Sequence, residues 1–191
     1  VGSFGDSAIF SFCQGKVIST GGEGGVIVTD DQKIYEKAKL IRSHGRVEAL
    51  QDYFLSIDDN DYIEAGYNFR MPSILAGLGL SQLNKIEKII RLRREKAKKY
   101  DEGLEKTMGI TLPLELNGHF SVYQMYTIKL LDEQQRDSLQ KYLAERGIMS
   151  KVYFYPSHLK TIYRNRYGCK EGDLPKPESL SRRVLNIPLF P

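Results

Sequence analysis

Residues 10–29 read FSFCQGKVISTGGEGGVIVT, so that one lysine, Lys16, stands between an apolar run and a cluster of glycines. The glycines predict a tight turn joining KVIST, residues 16–20, to a strand in GVIVT, residues 25–29, because glycine tolerates positive φ. A phosphate-binding or dinucleotide-binding loop would lead into a helix, whereas a β-branched run follows here. We therefore expect the glycines to have a structural role.

Lys16 has two interpretations. An ammonium group between apolar segments is costly unless it has a role, and a partly desolvated lysine can act as a neutral amine that attacks a carbonyl cofactor. Alternatively, its alkyl chain packs on apolar neighbours while the charge reaches water. The residues alone leave both interpretations open.

The whole chain has the composition of a soluble globular protein. Its 191 residues suffice for one domain, or one domain and part of another, with 41% hydrophobic and 27% charged residues. No apolar run approaches the roughly 20 residues of a membrane span, and the first residues lack the basic region of a secretion signal. Two cysteines, Cys13 and Cys169, are too few for a disulfide framework and favour the reducing cytoplasm. The chain starts without Met, inside a predicted strand, so we expect a piece of a longer protein.

The segment after the glycines predicts a helix. Asp30 and Asp31 are candidate N-caps, and apolar residues then recur at helical spacing until a stop near Gly45. Residues 46–70 show no sustained period and are expected to form an irregular connection. From Pro72, apolar and small residues recur at spacings of three and four as far as Leu104, interrupted only by Arg93, which predicts one long amphipathic helix.

The remaining chain predicts a small α/β layer in the order strand, strand, helix, strand. Asp132 is the expected N-cap of the helix and Gly147 its C-terminal stop. The expected segments are GITLPLE (109–115), SVYQMYTIKLL (121–131), the helix DEQQRDSLQKYLAERG (132–147) and a strand in IMSKVYFY (148–155), with a last strand in VLNIPLF (184–190).

Positive charge is concentrated in residues 85–99, which hold eight basic and two acidic side chains. Such a helix can bind nucleic acid, or it can simply turn a solvated face outward, opposite its apolar stripe. No known nucleic-acid-binding motif accompanies the charge, and we favour the solvated face.

Three segments resemble one family, the DegT/DnrJ/EryC1/StrS family of sugar aminotransferases. They are VGSFGDSAIFSFCQGKVISTGGEGGVIVT around Lys16, GYNFRMPSILAGLGLSQLNKIEKIIRLRREKAKKYDEGL from Gly66, and the pair YFYPSHLKTIY and LNIPLFP near the end. The family typically has a lysine followed by a G-E-G-G turn, a G-x-N-x-R-M element, and a Q-L pair leading into a basic helix. The resemblance covers nearly the whole chain in the same order.

The resemblance implies a role for several side chains. Lys16 would carry the cofactor, pyridoxal 5′-phosphate (PLP), and move the proton during transfer. Ser11 would bind the cofactor phosphate, and Asn68 would reach the cofactor phosphate of the neighbouring subunit, which implies a homodimer with shared active sites. Arg70 would bind a substrate carboxylate, with a surface ion pair as the alternative. His158 would lie near the sugar, with a structurally satisfied histidine as the alternative.

The resemblance also implies a fold and a reaction. The expected fold is α/β: the end of the large-domain mixed sheet of a fold-type-I PLP-dependent transferase in residues 1–70, then a long helix and the small α/β domain in residues 71–191. The reaction would transfer an amino group, from glutamate, to a keto group of a nucleotide-activated sugar for polysaccharide or amino-sugar synthesis. No metal site is implied, nor a nucleic-acid or membrane partner.

Two details refine this expectation. Related dehydratases replace the lysine by histidine, so Lys16 favours transamination, while Cys13 has no implied role and is expected to be a small buried hydrophobe. The family's residues that pair with the pyridine nitrogen and stack on the ring normally lie before this segment. The chain alone is therefore expected to be weakly active or inactive, and a catalytically inactive regulatory or binding module of the same fold is the alternative.

Overall fold

The computed structural model describes residues 2–47 and 61–191. The chain divides into two units, Val1–Ile86 and Glu87–Pro191, and each is described by itself. In the described part of the chain, no helix is long and apolar enough to cross a bilayer. The elements are β1 (Ala8–Ser11), β2 (Gly25–Val28), α1 (Gln32–Arg42), α2 (Ser73–Leu83), α3 (Ile86–Leu104), β3 (Ile110–Thr111), β4 (Tyr126–Leu130), α4 (Glu133–Glu145), a 3₁₀ turn (Ser157–Leu159), α5 (Thr161–Tyr167), α6 (Pro175–Arg183) and β5 (Val184–Ile187).

The first unit contains the two-stranded antiparallel sheet β1–β2, in which Ala8 pairs with Val28 and Ser11 with Gly25. The strand predicted in GVIVT is confirmed. The KVIST segment forms no strand and lies in the connection between β1 and β2, where the Thr20 N–H donates to the Phe12 carbonyl at 3.1 Å. Among the described residues of this unit, no hydrophobic side chain is buried.

Helix α1 begins as predicted. The Asp31 carboxylate accepts from the N–H groups of Lys33 at 2.7 Å and Ile34 at 3.2 Å, which satisfies two free donors of the first turn. The helix ends at Arg42, shortly before Gly45. Of the connection predicted over 46–70, residues 48–60 lie outside the described residues, and the described remainder contains no helix or extended strand.

The single long helix predicted from Pro72 is wrong: α2 ends at Leu83 and α3 begins at Ile86. The break lies at Asn84 and Lys85, where the Lys85 N–H donates to the Gln82 carbonyl at 3.0 Å in a tight turn. Asparagine is unfavourable in helix interiors because its side chain competes for backbone hydrogen bonds. The apolar spacing continues through the break, which is why periodicity did not reveal it.

The second unit is built on the antiparallel sheet β3–β4–β5. Residues of β4 alternate between buried and half-buried, as a strand with one face on a core requires. The expected segment IMSKVYFY forms no strand, because only Lys151 pairs, through reciprocal backbone hydrogen bonds with Asn186. The core consists of Ala97, Tyr126, Ile128, Leu130, Leu185 and Leu189.

Two helices of this unit, α5 and α6, are absent from the sequence-based expectation. Helix α6 begins with Pro175, and its sequence PKPES has the composition of a loop. Proline is nonetheless favoured in the first turn of a helix, where its missing N–H would have no partner in any case. Helix α4 agrees with expectation: the Asp132 carboxylate accepts from the Gln135 N–H at 2.8 Å, and Gly147 has φ +70° just beyond the end.

The basic helix is only partly a solvated face. Arg93 is 7% exposed, and its Nη1 donates to the carbonyls of Tyr123, Gln124 and Leu189 at 3.1–3.3 Å. Burial lowers the pKa of this guanidinium below its usual value. Arg93, which interrupts the apolar stripe in the sequence, is therefore a buried hydrogen-bond donor. It links Leu189, near the end of the chain, to α3.

Candidate active site

The hairpin β1–β2 presents Ser11 at the end of β1 and Lys16 in the connection that follows. Directly after β1, the Phe12 N–H donates to the Gly24 carbonyl at 2.8 Å and continues the pairing. The Lys16 N–H then donates to the Cys13 carbonyl at 3.0 Å, which closes a turn. The strand end thus fixes the backbone from which the lysine projects.

The amine of Lys16 is available for chemistry. The residue is half-buried, and no described residue hydrogen-bonds or ion-pairs with its Nζ. Ser11 is exposed, and its hydroxyl oxygen accepts from the Cys13 N–H at 3.4 Å, which leaves its own O–H free to donate. Cys13 is half-buried rather than fully buried.

The glycines have the structural role expected of them, and a strand rather than a helix follows them. A Cβ at Gly24 would lie 2.3 Å from Oγ1 of Thr20, a buried side chain that donates to the Glu23 carbonyl at 3.1 Å. Gly21 has φ +87°. Neither position accepts a side chain without strain.

A second group of site residues follows the connection. Ser43 and Asn68 form an antiparallel bridge, and the His44 N–H donates to the Tyr67 carbonyl at 2.8 Å. Arg70 Nε donates to Asn68 Oδ1 at 3.4 Å, and Arg70 Nη2 lies 3.3 Å from His44 Nε2. Asn68 and Arg70 are both exposed, so their polar groups can reach a ligand.

His44 is a residue of this group that the sequence did not indicate. Because arginine can only donate, its contact makes Nε2 of His44 the acceptor. His44 also has φ +64°, which is uncommon outside glycine. The only sequence signal for His44 is its position directly before Gly45, the glycine predicted to stop the helix, and this signal is weak without the fold.

His158 lies in the second unit, in the 3₁₀ turn Ser157–Leu159. Its Nε2 is 2.8 Å from Oε1 of Glu178 on α6, and the two side chains are 11% and 7% exposed. One ring nitrogen is therefore used structurally, as the alternative interpretation expected. Glu178 was not identified from the sequence.

The structure brings Asn68 and Arg70 into contact and places Ser11 at the end of the strand that leads into the connection with Lys16. Within residues 2–47 and 61–191, no hydrogen bond or ion pair joins Lys16 to Ser11, Asn68 or Arg70. The same ranges contain no group of three His, Cys, Asp or Glu side chains placed to hold a metal ion.

The donor set fits PLP, which carries an aldehyde and a phosphate. Lys16 supplies an amine and Ser11 a hydroxyl donor, neither of which donates to another described residue, and Asn68 supplies an exposed amide. A Cβ at Gly15 or Gly22 would meet no heavy atom within 4 Å, so the described residues leave open space beside the lysine turn.

Comparison with known proteins identifies the relatives of this arrangement. The match to the DegT/DnrJ/EryC1/StrS aminotransferase family extends over residues 1–191. The chain belongs to this family. Its aminotransferases use PLP as cofactor, and one solved relative, the putative sugar aminotransferase Spr1654 of Streptococcus pneumoniae, is a PLP form with a TM-score of 0.87 and 25% identity, covering 100% of this chain and 48% of that one.

Two further relatives of the family are informative. GDP-perosamine synthase of Escherichia coli O157:H7 is 33% identical over 191 residues, which are 100% of this chain and 48% of the relative. Helicobacter pylori PseC, an aminotransferase of pseudoaminic acid biosynthesis, has a TM-score of 0.88 and 29% identity, covering 100% of this chain and 49% of that one. The chain spans about half the length of the relatives it matches. The α/β, fold-type-I expectation is confirmed.

Proposed function

We propose that the chain is the lysine-bearing part of a PLP-dependent aminotransferase that transfers an amino group from glutamate to a keto group of a nucleotide-activated sugar. The observation that carries the proposal is the Lys16 amine, which has no partner among the described residues, in a chain that matches an aminotransferase family from end to end. The GDP-perosamine and pseudoaminic acid in the names of relatives support an amino sugar as the product class.

Lys16 has two tasks in this proposal. Its Nζ would hold the cofactor covalently, and after release the same amine would move a proton between the reacting substrate carbon and the cofactor. When bound, PLP supplies the electron sink that lets the amino group be transferred. The Ser11 hydroxyl would donate to the cofactor phosphate and so help to hold the cofactor.

The exposed side chains of Asn68 and Arg70 are assigned to a phosphate of the cofactor and a carboxylate of the amino donor. We assign the Asn68 amide to the cofactor phosphate of a neighbouring subunit, so that a homodimer shares its active sites. The Arg70 guanidinium suits the carboxylate of the amino donor, because its planar fork can donate two parallel hydrogen bonds. His158 is assigned to a hydroxyl group of the sugar.

The remaining assignments follow from the same proposal. Residues 1–70 belong to the cofactor-binding domain, and residues 71–191 comprise the connecting helices and the small domain. Cys13 and Cys169 are free thiols, which suits a cytoplasmic enzyme. Several basic side chains of residues 85–99 are ion-paired or buried, which argues against a nucleic-acid surface.

The experiment is chemical trapping of the cofactor. The chain is mixed with PLP and reduced with borohydride, and the modified lysine is identified by peptide mass mapping. We expect the pyridoxyl group on Lys16 and its loss from that peptide in Lys16→Ala. The control is Lys98→Ala on α3, because Lys98 is an exposed lysine paired with Glu102 and its removal leaves Lys16 labelling unchanged.

A second arm supplies the part of the enzyme that this chain lacks relative to its relatives. The chain is fused to the part of S. pneumoniae Spr1654 that it does not cover, and the trapping is repeated before and after addition of glutamate. Glutamate should discharge the cofactor from Lys16 and abolish trapping. Absence of Lys16 labelling in both arms contradicts the proposal and favours an inactive module of the same fold.

A further inference from the structure

We infer that Glu178 is a positioning residue for the sugar: it holds the Nε2–H of His158 and thereby leaves Nδ1 of that ring as the acceptor for a sugar hydroxyl. The inference rests on the proposed function, because it needs His158 to face the sugar. It gives Glu178 a role in the site and specifies which atom of His158 contacts the substrate.

His158 and Glu178 form a close, largely buried pair. The distance between His158 Nε2 and Glu178 Oε1 is 2.8 Å, and both side chains are about nine-tenths buried. Glu178 lies in the first turn of α6, 20 residues beyond His158. A short contact between buried polar groups is a hydrogen bond with a defined donor and acceptor, because neither group has water to replace its partner.

Glu178 is the acceptor in this hydrogen bond. Its Oε2 accepts from the Gly172 N–H at 2.9 Å, and its Oε1 also accepts from the Leu174 N–H at 3.1 Å. The hydrogen bond from Gly172, supported by those from His158 and Leu174, lowers the pKa of the Glu178 carboxyl below its usual value. An ionised carboxylate only accepts, so His158 donates from Nε2.

Nδ1 is the other nitrogen of the His158 ring. A neutral imidazole with its hydrogen on Nε2 has a lone pair on Nδ1. Among the described residues, Nδ1 makes no hydrogen bond, and it is not one of their buried polar atoms without a partner. Nδ1 is therefore at the accessible edge of the ring and can accept a hydrogen bond from a ligand hydroxyl.

The Glu178 carboxylate is also held through the helix that carries it. The Ser181 hydroxyl donates to the Glu178 carbonyl at 2.9 Å, and the Ser181 carbonyl accepts from Nη1 of the buried Arg136 at 3.2 Å. These contacts tie α6 to α4. Asp132, Glu133, Arg182 and Arg183 line the cavity beside Glu178, so both signs of charge are present there. The carboxylate is thus fixed from its backbone as well as from its oxygens.

The substitution Glu178→Gln is the sharpest perturbation. One carboxylate oxygen becomes an NH₂ group, which must face either the Gly172 N–H or the side shared by Leu174 and His158. The first choice places the new NH₂ against the Gly172 N–H donor. The second places it against the Leu174 N–H donor and makes His158 accept at Nε2, which moves the ring hydrogen to Nδ1 and removes the acceptor for the sugar hydroxyl.

The tautomer is read directly by nitrogen NMR of the ¹⁵N-labelled chain. The chain has three histidines, and the signal of His158 is assigned by its loss in His158→Asn. We expect a protonated Nε2 and a bare Nδ1 in the wild type, and a shift toward protonated Nδ1 in Glu178→Gln. The control Glu171→Gln removes an exposed partner of Arg182 and leaves the ring signals unchanged. A wild-type ring with its hydrogen on Nδ1 overturns the inference.

The functional arm uses the fused enzyme and measures its two half-reactions separately by cofactor absorbance. In the first half-reaction, glutamate is the amino donor. The second half-reaction is run in reverse, with GDP-perosamine as the amino sugar. Loss of one substrate hydrogen bond should raise the KM for the amino sugar about 2- to 10-fold in Glu178→Gln and leave the glutamate half-reaction unchanged. If the rates of both half-reactions fall equally in Glu178→Gln while KM is unchanged, Glu178 has a purely structural role and the inference is overturned.

The two arms separate failure of this inference from failure of the proposed function. Absence of Lys16 labelling in both the chain and the wild-type fused enzyme refutes the aminotransferase, and with it the sugar contact, whatever the tautomer. An active enzyme whose His158 carries its hydrogen on Nδ1 keeps the proposed function and removes Glu178 from it.

Discussion

Replacing Gly45 by alanine tests how Asn68 and Arg70 are held in place. Gly45 has φ +75°, and a Cβ built on it would lie 1.7 Å from the carbonyl oxygen of Glu64. A carbon atom cannot approach so closely, so the backbone around Glu64 must move away. Gly66 makes the reciprocal approach, since its Cβ would lie 2.2 Å from the Gly45 nitrogen.

The cost of Gly45→Ala has two parts. A non-glycine residue in the left-handed region costs about 1–2 kcal/mol. Separating the two segments also weakens the hydrogen bonds from the His44 N–H to Tyr67 at 2.8 Å and from the Ile63 N–H to Gly45 at 3.0 Å, each worth about 0.5–1.5 kcal/mol. We expect the free energy of unfolding to fall by about 2–5 kcal/mol.

The assay is urea unfolding together with hydrogen exchange of the His44 amide. Gly118→Ala is the matched control for φ alone, because Gly118 has φ +76° and open space around its Cβ position, and should cost about 1–2 kcal/mol. Gly77→Ala, in α2 with open space, should stabilise by up to about 1 kcal/mol. If Gly45→Ala costs no more than Gly118→Ala and His44 stays protected, the close approach to Glu64 is refuted.

Three further predictions concern the second unit. Leu185→Ala, at a fully buried position, should lower the free energy of unfolding by about 2–5 kcal/mol in urea. Asp132→Ala should lower it by about 1 kcal/mol, because the Gln135 N–H loses its cap, and Asp132→Asn should restore most of the loss. The paired Arg94 guanidinium, with the Ser121 N–H, lowers the pKa of Glu115 to about 2. This depressed pKa contributes stability above the unfolded pKa near 4, lost as pH falls toward 2, so Arg94→Gln should flatten the pH dependence of unfolding between pH 5 and 2.

The features that the sequence predicted depend on neighbours within a few residues. Asp31 and Asp132 were identified as N-caps because each bonds to N–H groups two or three residues later. The strand β4 lies within the segment SVYQMYTIKLL, where a strand was predicted, and its residues alternate between buried and half-buried. Lys16 was singled out by its position between apolar runs, and the family resemblance supplied its role.

The features that were missed depend on contacts across the chain. His44 meets Arg70 across 26 residues, and Glu178 meets His158 across 20, so no local pattern marks either partner. Arg93 read as a break in an apolar stripe because its three carbonyl acceptors lie 30 or more residues away. Local spacing cannot distinguish a solvated cation from one buried against distant backbone.

The buried hydrophobic residues and the proposed catalytic lysine belong to different units of this chain. The buried hydrophobic residues of the described structure all lie in Glu87–Pro191, whereas Lys16 projects from a two-stranded hairpin in which Ile9 is 81% exposed. A lone hairpin is only marginally stable in water. The lysine turn is therefore ordered chiefly by its own hydrogen bonds and glycine contacts, such as that of Gly24 against Thr20. It follows that Lys16→Ala should remove cofactor trapping without lowering the free energy of unfolding, while Leu185→Ala should do the reverse. A large loss of stability in Lys16→Ala would show that the amine has a structural partner and would remove the main support for its catalytic assignment.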